Sequence, residues 1–280
     1  MTEPLKGQVA IITGGSRGIG LAIAQAFAAE GIAMALVARS EAAVRRASET
    51  IQTAGGRAIP FPANVTDQRA VDRVVAETVR QLGPVDLLIN NAGSAHAIGP
   101  IWELSPRHLV AGRHDESAGH ISVQSRCPAR DDCSPPRQNH QRRQRPWDTH
   151  ERREHAVALR ARLQQQQGRG DRVDAESWDH GTGARCRLFG FRPGFVRTAL
   201  LEEGARSPAG RRWVPEVQAL LDSDRLVPAA LAGRWVTFLA SGAVDDLSGR
   251  VLSVTHDMNT LAARSDEIRR EGRYMLRLID

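Results

Sequence analysis

The chain has 280 residues, 41% of them hydrophobic, enough for one large α/β domain or two small ones with a sizeable core. Its formal charge of +6 invites a nucleic-acid partner until the charge is located. Arg107–Arg187 holds 16 arginines against 11 acidic residues, the remainder is nearly neutral, and no apolar run is long enough for a membrane span.

Val9–Thr13 is a continuous apolar run that ends in a glycine-rich turn, the pattern of a buried parallel strand. Met1–Gly7 before it is short and polar and does not read as a secretory leader. Leu21–Glu30 reads as an alanine-rich helix closed by Gly31, and Ala33–Ala38 as a second buried strand. A helix over Glu41–Ala54, a strand over Ala58–Ala63 and a strand over Val85–Ile89 follow in turn. Between the last two, Asp67–Gln81 is amphipathic, with Val71, Val74, Val75, Val79 and Leu82 on one face. Strands alternating with helices of this length predict an α/β fold with a doubly wound parallel sheet.

That grammar stops near Pro106. From residue 107 to residue 187 apolar residues follow no regular period, and tracts such as Gln141–Pro146 and Gln164–Gln167 take over. Such composition buries too little apolar surface to offset chain entropy, so the segment is expected to be disordered. It contains Cys127, Cys133 and Cys186, which show neither paired nor metal-ligand spacing, and a reducing cytoplasm is the expected compartment. His150 and His155 with Glu151 and Glu154 lack an apolar framework to organise a metal site, so no metal is expected. Arginines could bind phosphate backbones there, which gives a second reading of the chain as a non-catalytic nucleotide- or RNA-binding protein. Only Trp147 and Trp178 offer stacking surfaces in the segment, so no specific nucleic-acid partner is expected. The grammar then resumes, with an apolar Leu188–Arg192, a turn at Pro193-Gly194, a helix over Pro228–Ser241 and a strand over Arg250–Val254. Arg264–Asp280 is charged and amphipathic, a surface or subunit-contact helix.

Thr13-Gly14-Gly15-Ser16-Arg17-Gly18-Ile19-Gly20 lies between the first strand and the first helix, and that placement distinguishes it from a chance glycine pattern. Gly14 permits a tight turn, Gly18 lets backbone approach a pyrophosphate, and Gly20 permits close helix packing against the strand. The second strand ends in Ala38-Arg39-Ser40, without the acid that would accept from a ribose 2′-hydroxyl. Arg39, helped by Arg17, suits a 2′-phosphate instead, which favours NADP(H) over NAD(H). A solvated surface arginine is the plain alternative for Arg39.

These motifs, with Asn64-Val65 and Asn90-Asn91-Ala92-Gly93, resemble the short-chain dehydrogenase/reductase superfamily in its classical form. The resemblance covers about residues 5–106 and 188–255. It implies one Rossmann-type domain: residues 1–106 its dinucleotide-binding half, residues 188–280 its C-terminal part, and residues 107–187 an aberrant insert replacing the central strands and helices. It also implies that Asn64 and Val65 line the adenine pocket and that Asn91, Ala92 and Gly93 stabilise the sheet beside the cofactor. Pro193, Gly194 and Thr198, in the run Pro193–Thr198, are similar to the segment that holds the nicotinamide carboxamide, and Leu247–Val251 resembles the closing loop and last strand. The implied chemistry is hydride transfer between a nicotinamide and a small carbonyl or alcohol substrate by a homodimer or homotetramer.

The same resemblance calls for a Tyr with a Lys four residues on, and an upstream Ser. Tyr274 and Lys6 are the only tyrosine and lysine, so no such set exists and the literal chain is expected to be inactive. Runs of Arg, Gln, His and Pro are what GC-rich coding DNA yields out of frame. A one-base shift over Leu163–Gly168 permits Tyr-Ser-Ser-Ser-Lys, its Tyr codon starting within Leu163 and its Lys codon within Gln167. The same shift over Arg137–Arg145 permits a strand ending Ala-Ser-Ala, the Ser codon starting within Gln144. Over Arg113–Gly119 it permits an asparagine starting within Glu116. Three family elements in order in one frame predict that residues 107–187 are an out-of-frame translation. A natural Arg-rich insertion is the alternative.

Overall fold

The computed structural model describes residues 5–93, 98–100, 102–103, 121–126 and 186–275. Seven strands form one sheet: β1 (Val9–Thr13), β2 (Ala33–Ala38), β3 (Arg57–Pro62), β4 (Leu87–Asn90), β5 (Ile121–Arg126), β6 (Cys186–Arg192) and β7 (Arg250–Ser253), in the order β3-β2-β1-β4-β5-β6-β7. Helices α1 (Gly18–Ala29), α2 (Glu41–Thr53) and α3 (Gln68–Gln81) connect the first four strands. After β6 come α4 (Ala199–Arg206), α5 (Pro208–Trp213), α6 (Pro215–Leu221) and α7 (Ala229–Ala240), then, beyond β7, α8 (Met258–Ala263) and α9 (Ser265–Arg270).

Alternate residues of each strand feed two cores. Ala10, Ile12, Met34 and Leu36 face one, built with Phe27 of α1, Ile51 of α2 and Trp235 of α7. Val9, Ile11, Ala35 and Val37 face the other, built with Val71, Val74 and Val75 of α3. A sheet buried on both faces needs strands that are apolar at every position, which is why β1 reads Val-Ala-Ile-Ile without alternation. Trp235 is fully buried, stacked on Phe191 with ring centroids 5.6 Å apart. The helix caps follow local chemistry: Ser40 accepts from the Ala43 amide ahead of α2, and Asp67 from those of Arg69 and Ala70 ahead of α3.

The α/β, doubly wound architecture is as expected, but the sheet is not wholly parallel. β1 through β4 pair in parallel, as do β6 and β7. β5 runs antiparallel to both β4 and β6, with Asn90 opposite Ser122 and Ser122 opposite Gly190. The expectation of disorder throughout residues 107–187 is therefore corrected at residues 121–126, and β6 begins at Cys186, inside that span. The physical reason is the gap between β4 and β6, two strands with unpaired edges. Ile121 and Val123, spaced to face one core, let this short stretch fill it.

Of the surface helix expected over Arg264–Asp280, the described residues form one short helix, α9, followed by a turn, and Ile268 of α9 is buried in the core. The Arg250 guanidinium secures this end, donating to the carbonyls of Arg273 (3.1 Å), Ser248 (3.2 Å) and Arg269 (3.3 Å). No helix among the described residues is long and apolar enough to cross a membrane.

Candidate cofactor site

The order β3-β2-β1-β4 reverses direction at β1, so the crevice lies beyond the carboxyl ends of β1 and β4. The glycine loop leaves β1 there. Gly14 and Gly18 both have positive φ, +65° and +57°, a conformation side-chain-bearing residues rarely adopt. A Cβ on Gly20 would stand 2.3 Å from the Gly14 carbonyl oxygen, so only glycine lets α1 turn so tightly against β1. Ser16 is half-buried in the turn, and Ile19 packs against the core as the first apolar anchor of α1.

α1 starts with Arg17 as N-cap, without a side-chain cap, and has no acid in its first turn. An uncapped helix N-terminus presents backbone N–H groups and the positive end of the helix dipole. That combination accepts an anion such as a diphosphate.

Asn91 ties the β4 end to this loop. Its Nδ2 donates to the Thr13 carbonyl at 3.0 Å and to the Gly14 carbonyl at 3.3 Å. The Thr13 hydroxyl accepts from the amides of Asn91 (2.9 Å) and Ala92 (3.0 Å) and donates to the Ile89 carbonyl (3.2 Å). Ala92 and Gly93 follow as a half-buried wall. Asn64 forms a tight turn after β3, its Oδ1 accepting from the Thr66 amide at 3.1 Å, while Val65 packs on the α3 core. Arg39 is exposed at the end of β2, with no hydrogen bond or ion pair among the described residues.

The downstream loop returns to the same crevice. Gly194 has φ +71° and lies where a Cβ would be 3.1 Å from Val254 and 3.2 Å from Val227. Pro193 is buried, and Thr198 caps α4 by accepting from the Leu201 amide at 3.2 Å. Thr198 Cγ2 lies 3.2 Å from an ideal Cβ built on Gly18, so the loop after β6 closes directly onto the glycine loop. The structure thus brings Gly14–Gly20, Asn91–Gly93 and Pro193–Thr198 to one edge of the sheet. Gln144, Leu163, Gln167 and the histidine cluster near His150 lie outside the described residues.

Two long-range contacts escaped sequence reasoning. Glu203 reaches across to Arg17, Oε1 to Nη1 at 3.1 Å, and Trp213 packs on Gly99 within 3.2 Å of its ideal Cβ. Neither carries a local signal, because each partner lies more than a hundred residues away. No group of three or more His, Cys, Asp or Glu among the described residues could hold a metal ion.

Residues 8–111 match the family model for short chain dehydrogenases. Over that stretch the chain is similar to the short-chain dehydrogenase/reductase superfamily. It is 41% identical over 97 residues, 35% of this chain and 31% of the relative, to a short chain dehydrogenase of Pseudocercospora fijiensis. It is 44% identical over 91 residues, 32% of this chain and 31% of the relative, to the fatty acyl-CoA reductase of Acinetobacter baylyi. The matched stretch therefore spans about a third of the length of these relatives. A solved structure described as an NAD(P) dependent gluconate 5-dehydrogenase of Beutenbergia cavernae superposes with a TM-score of 0.57. That match covers 93% of this chain and 100% of the other at 22% identity, a likeness of fold alone. The superfamily match lies on the stretch where the glycine loop, Asn64-Val65 and Asn91–Gly93 stand, and it stops where the regular strand–helix grammar stops.

Proposed function

We propose that this chain descends from an oxidoreductase that moves hydride between a nicotinamide dinucleotide and a carbonyl or alcohol carbon, and that it keeps the dinucleotide site without the catalytic set. The observation that carries this reading is the uncapped N-terminus of α1 behind two positive-φ glycines, with Thr198 closing on Gly18. The bound cofactor would supply the hydride. Gly14–Gly20 would hold its diphosphate, Asn64 and Val65 its adenine, and Pro193–Thr198 its carboxamide. NADP is preferred over NAD because Arg39 and Arg17 offer two guanidinium groups, with no acid at the end of β2, where a 2′-phosphate would lie.

The chain holds no Tyr with a Lys four residues on for proton transfer at the substrate. Tyr274 is 3.0 Å from the Val251 amide through its carbonyl and packs its ring on His256, at the far end of the chain from any lysine. The proposed explanation is that residues 107–187 are read out of frame, with the Ser, Tyr and Lys codons starting within Gln144, Leu163 and Gln167. The reversed β5 supports this, as does the Asn90 Nδ2 amide, buried beside it with no partner among the described residues. A strand grown for that slot would run parallel and satisfy its neighbours.

The test is equilibrium binding of NADPH and NADH to the full chain. Saturable binding with NADPH at least about tenfold tighter, from about 1.5–3 kcal/mol per charge-assisted contact, supports the reading. Equal affinity removes the NADP preference, and absence of binding removes the site.

A further inference from the structure

α4 meets the glycine loop at two points. Thr198, its cap, sits against Gly18, and Glu203, one turn further on, pairs with Arg17 at 3.1 Å. The adjacent Glu202 is engaged elsewhere, by Arg197 at 3.2 Å and Arg206 at 3.8 Å. Glu203 is therefore the α4 carboxylate that crosses to the cofactor loop. Both partners are more than half exposed, 56% for Arg17 and 64% for Glu203, so the pair sits in high dielectric and exchanges readily.

Resting on the reading of Arg17 as a 2′-phosphate ligand, we propose that Glu203 is a specificity-determining latch. Its carboxylate and the 2′-phosphate compete for the Arg17 guanidinium. A phosphate carrying up to two negative charges beside a carboxylate on one cation is repelled, so NADP must displace Glu203 and free α4 from the loop. NAD brings no charge to that position and leaves the latch closed. The latch thus acts against the preference set by Arg39 and couples the identity of the nucleotide to the position of α4.

The experiment uses the full chain with NADPH and NADH as probes. Glu203→Gln should tighten NADPH about three- to fivefold, the scale of an exposed ion pair, and leave NADH within about twofold. In the unaltered chain, NADPH but not NADH should speed amide hydrogen exchange across residues 199–206. An NADPH affinity that is unchanged or weakened in Glu203→Gln, or a change shared equally with NADH, overturns the latch while leaving the nucleotide site standing. Should the variant fail to fold, the exchange measurement decides, and protection of residues 199–206 by NADPH overturns the proposal. If the unaltered chain binds neither nucleotide, the underlying site reading fails, and the latch with it.

Discussion

Asn91 donates twice to Thr13, from its side-chain amide to the threonine carbonyl and from its backbone amide to the threonine hydroxyl. This pair joins β4 to β1 at the switch point of the sheet, where the two strands must be held for a crevice to exist. Thr13→Val would remove the hydroxyl that accepts from the Asn91 and Ala92 amides, at about 1–3 kcal/mol for each part-buried contact. Urea denaturation should show a loss of about 2–4 kcal/mol for Thr13→Val and less than about 1 kcal/mol for Thr13→Ser, which keeps the hydroxyl. Equal losses would mean that the methyl group matters rather than the hydroxyl.

Gly20 and Gly7 make a matched pair of controls for the glycine loop. Gly20→Ala drives a Cβ into the Gly14 carbonyl and the Asn91 amide, at 2.3 Å and 2.6 Å. Gly7 has φ +90° but nothing within 4 Å, so Gly7→Ala meets only backbone strain of about 1 kcal/mol. NADPH titration should show at least about a tenfold loss for Gly20→Ala, a binding free-energy change above about 1.4 kcal/mol, and no change for Gly7→Ala. Intact binding by Gly20→Ala would place the nucleotide elsewhere.

Arg39 has no partner among the described residues to compete for it. Arg39→Ala should weaken NADPH by about tenfold or more and NADH by less than about twofold, since in the proposed site only a 2′-phosphate would use the guanidinium. Equal weakening of both, measured by fluorescence titration, would mark Arg39 as a general electrostatic contributor.

His256 predicts the pH response. Its Nδ1 accepts from the Ser253 amide at 3.2 Å and its ring packs 4.4 Å from Tyr274, and burial lowers its pKa below the ordinary histidine value. As pH falls through that ordinary value the unfolded chain takes up a proton that the folded chain resists. Stability is therefore full above it and declines until the pH reaches the lowered folded value. Melting temperatures at pH 7.5 and 5.5 should differ more for the unaltered chain than for His256→Asn, whose side-chain oxygen can still accept. An identical pH response in the two proteins would assign the acid sensitivity to other groups.

Much of the scaffold was legible because its signals are local. β1 and β2 fall where continuous apolar runs were read, and α3 buries Val71, Val74 and Val75, part of the face that its spacing predicted. The glycine loop was legible because positive φ and close approach leave a direct mark on residue type. The Arg17–Glu203 pair and the Thr198–Gly18 contact were not, since a single exposed glutamate carries no sign of a partner 186 residues away. Nor was β5: six residues with Ile121 and Val123 in alternation are too few to declare a strand, and its direction is set by the edges of β4 and β6.

The nucleotide sequence of the gene between codons 95 and 195 tests most directly the proposal that the middle of the chain is read out of frame. An out-of-frame middle predicts that the frame one base forward is free of stop codons from about codon 107 to codon 187. It also predicts that this frame encodes Ser, Tyr and Lys beginning within codons 144, 163 and 167. Stop codons in that frame, or other residues at those three positions, would contradict it and leave a natural Arg-rich insertion in their place.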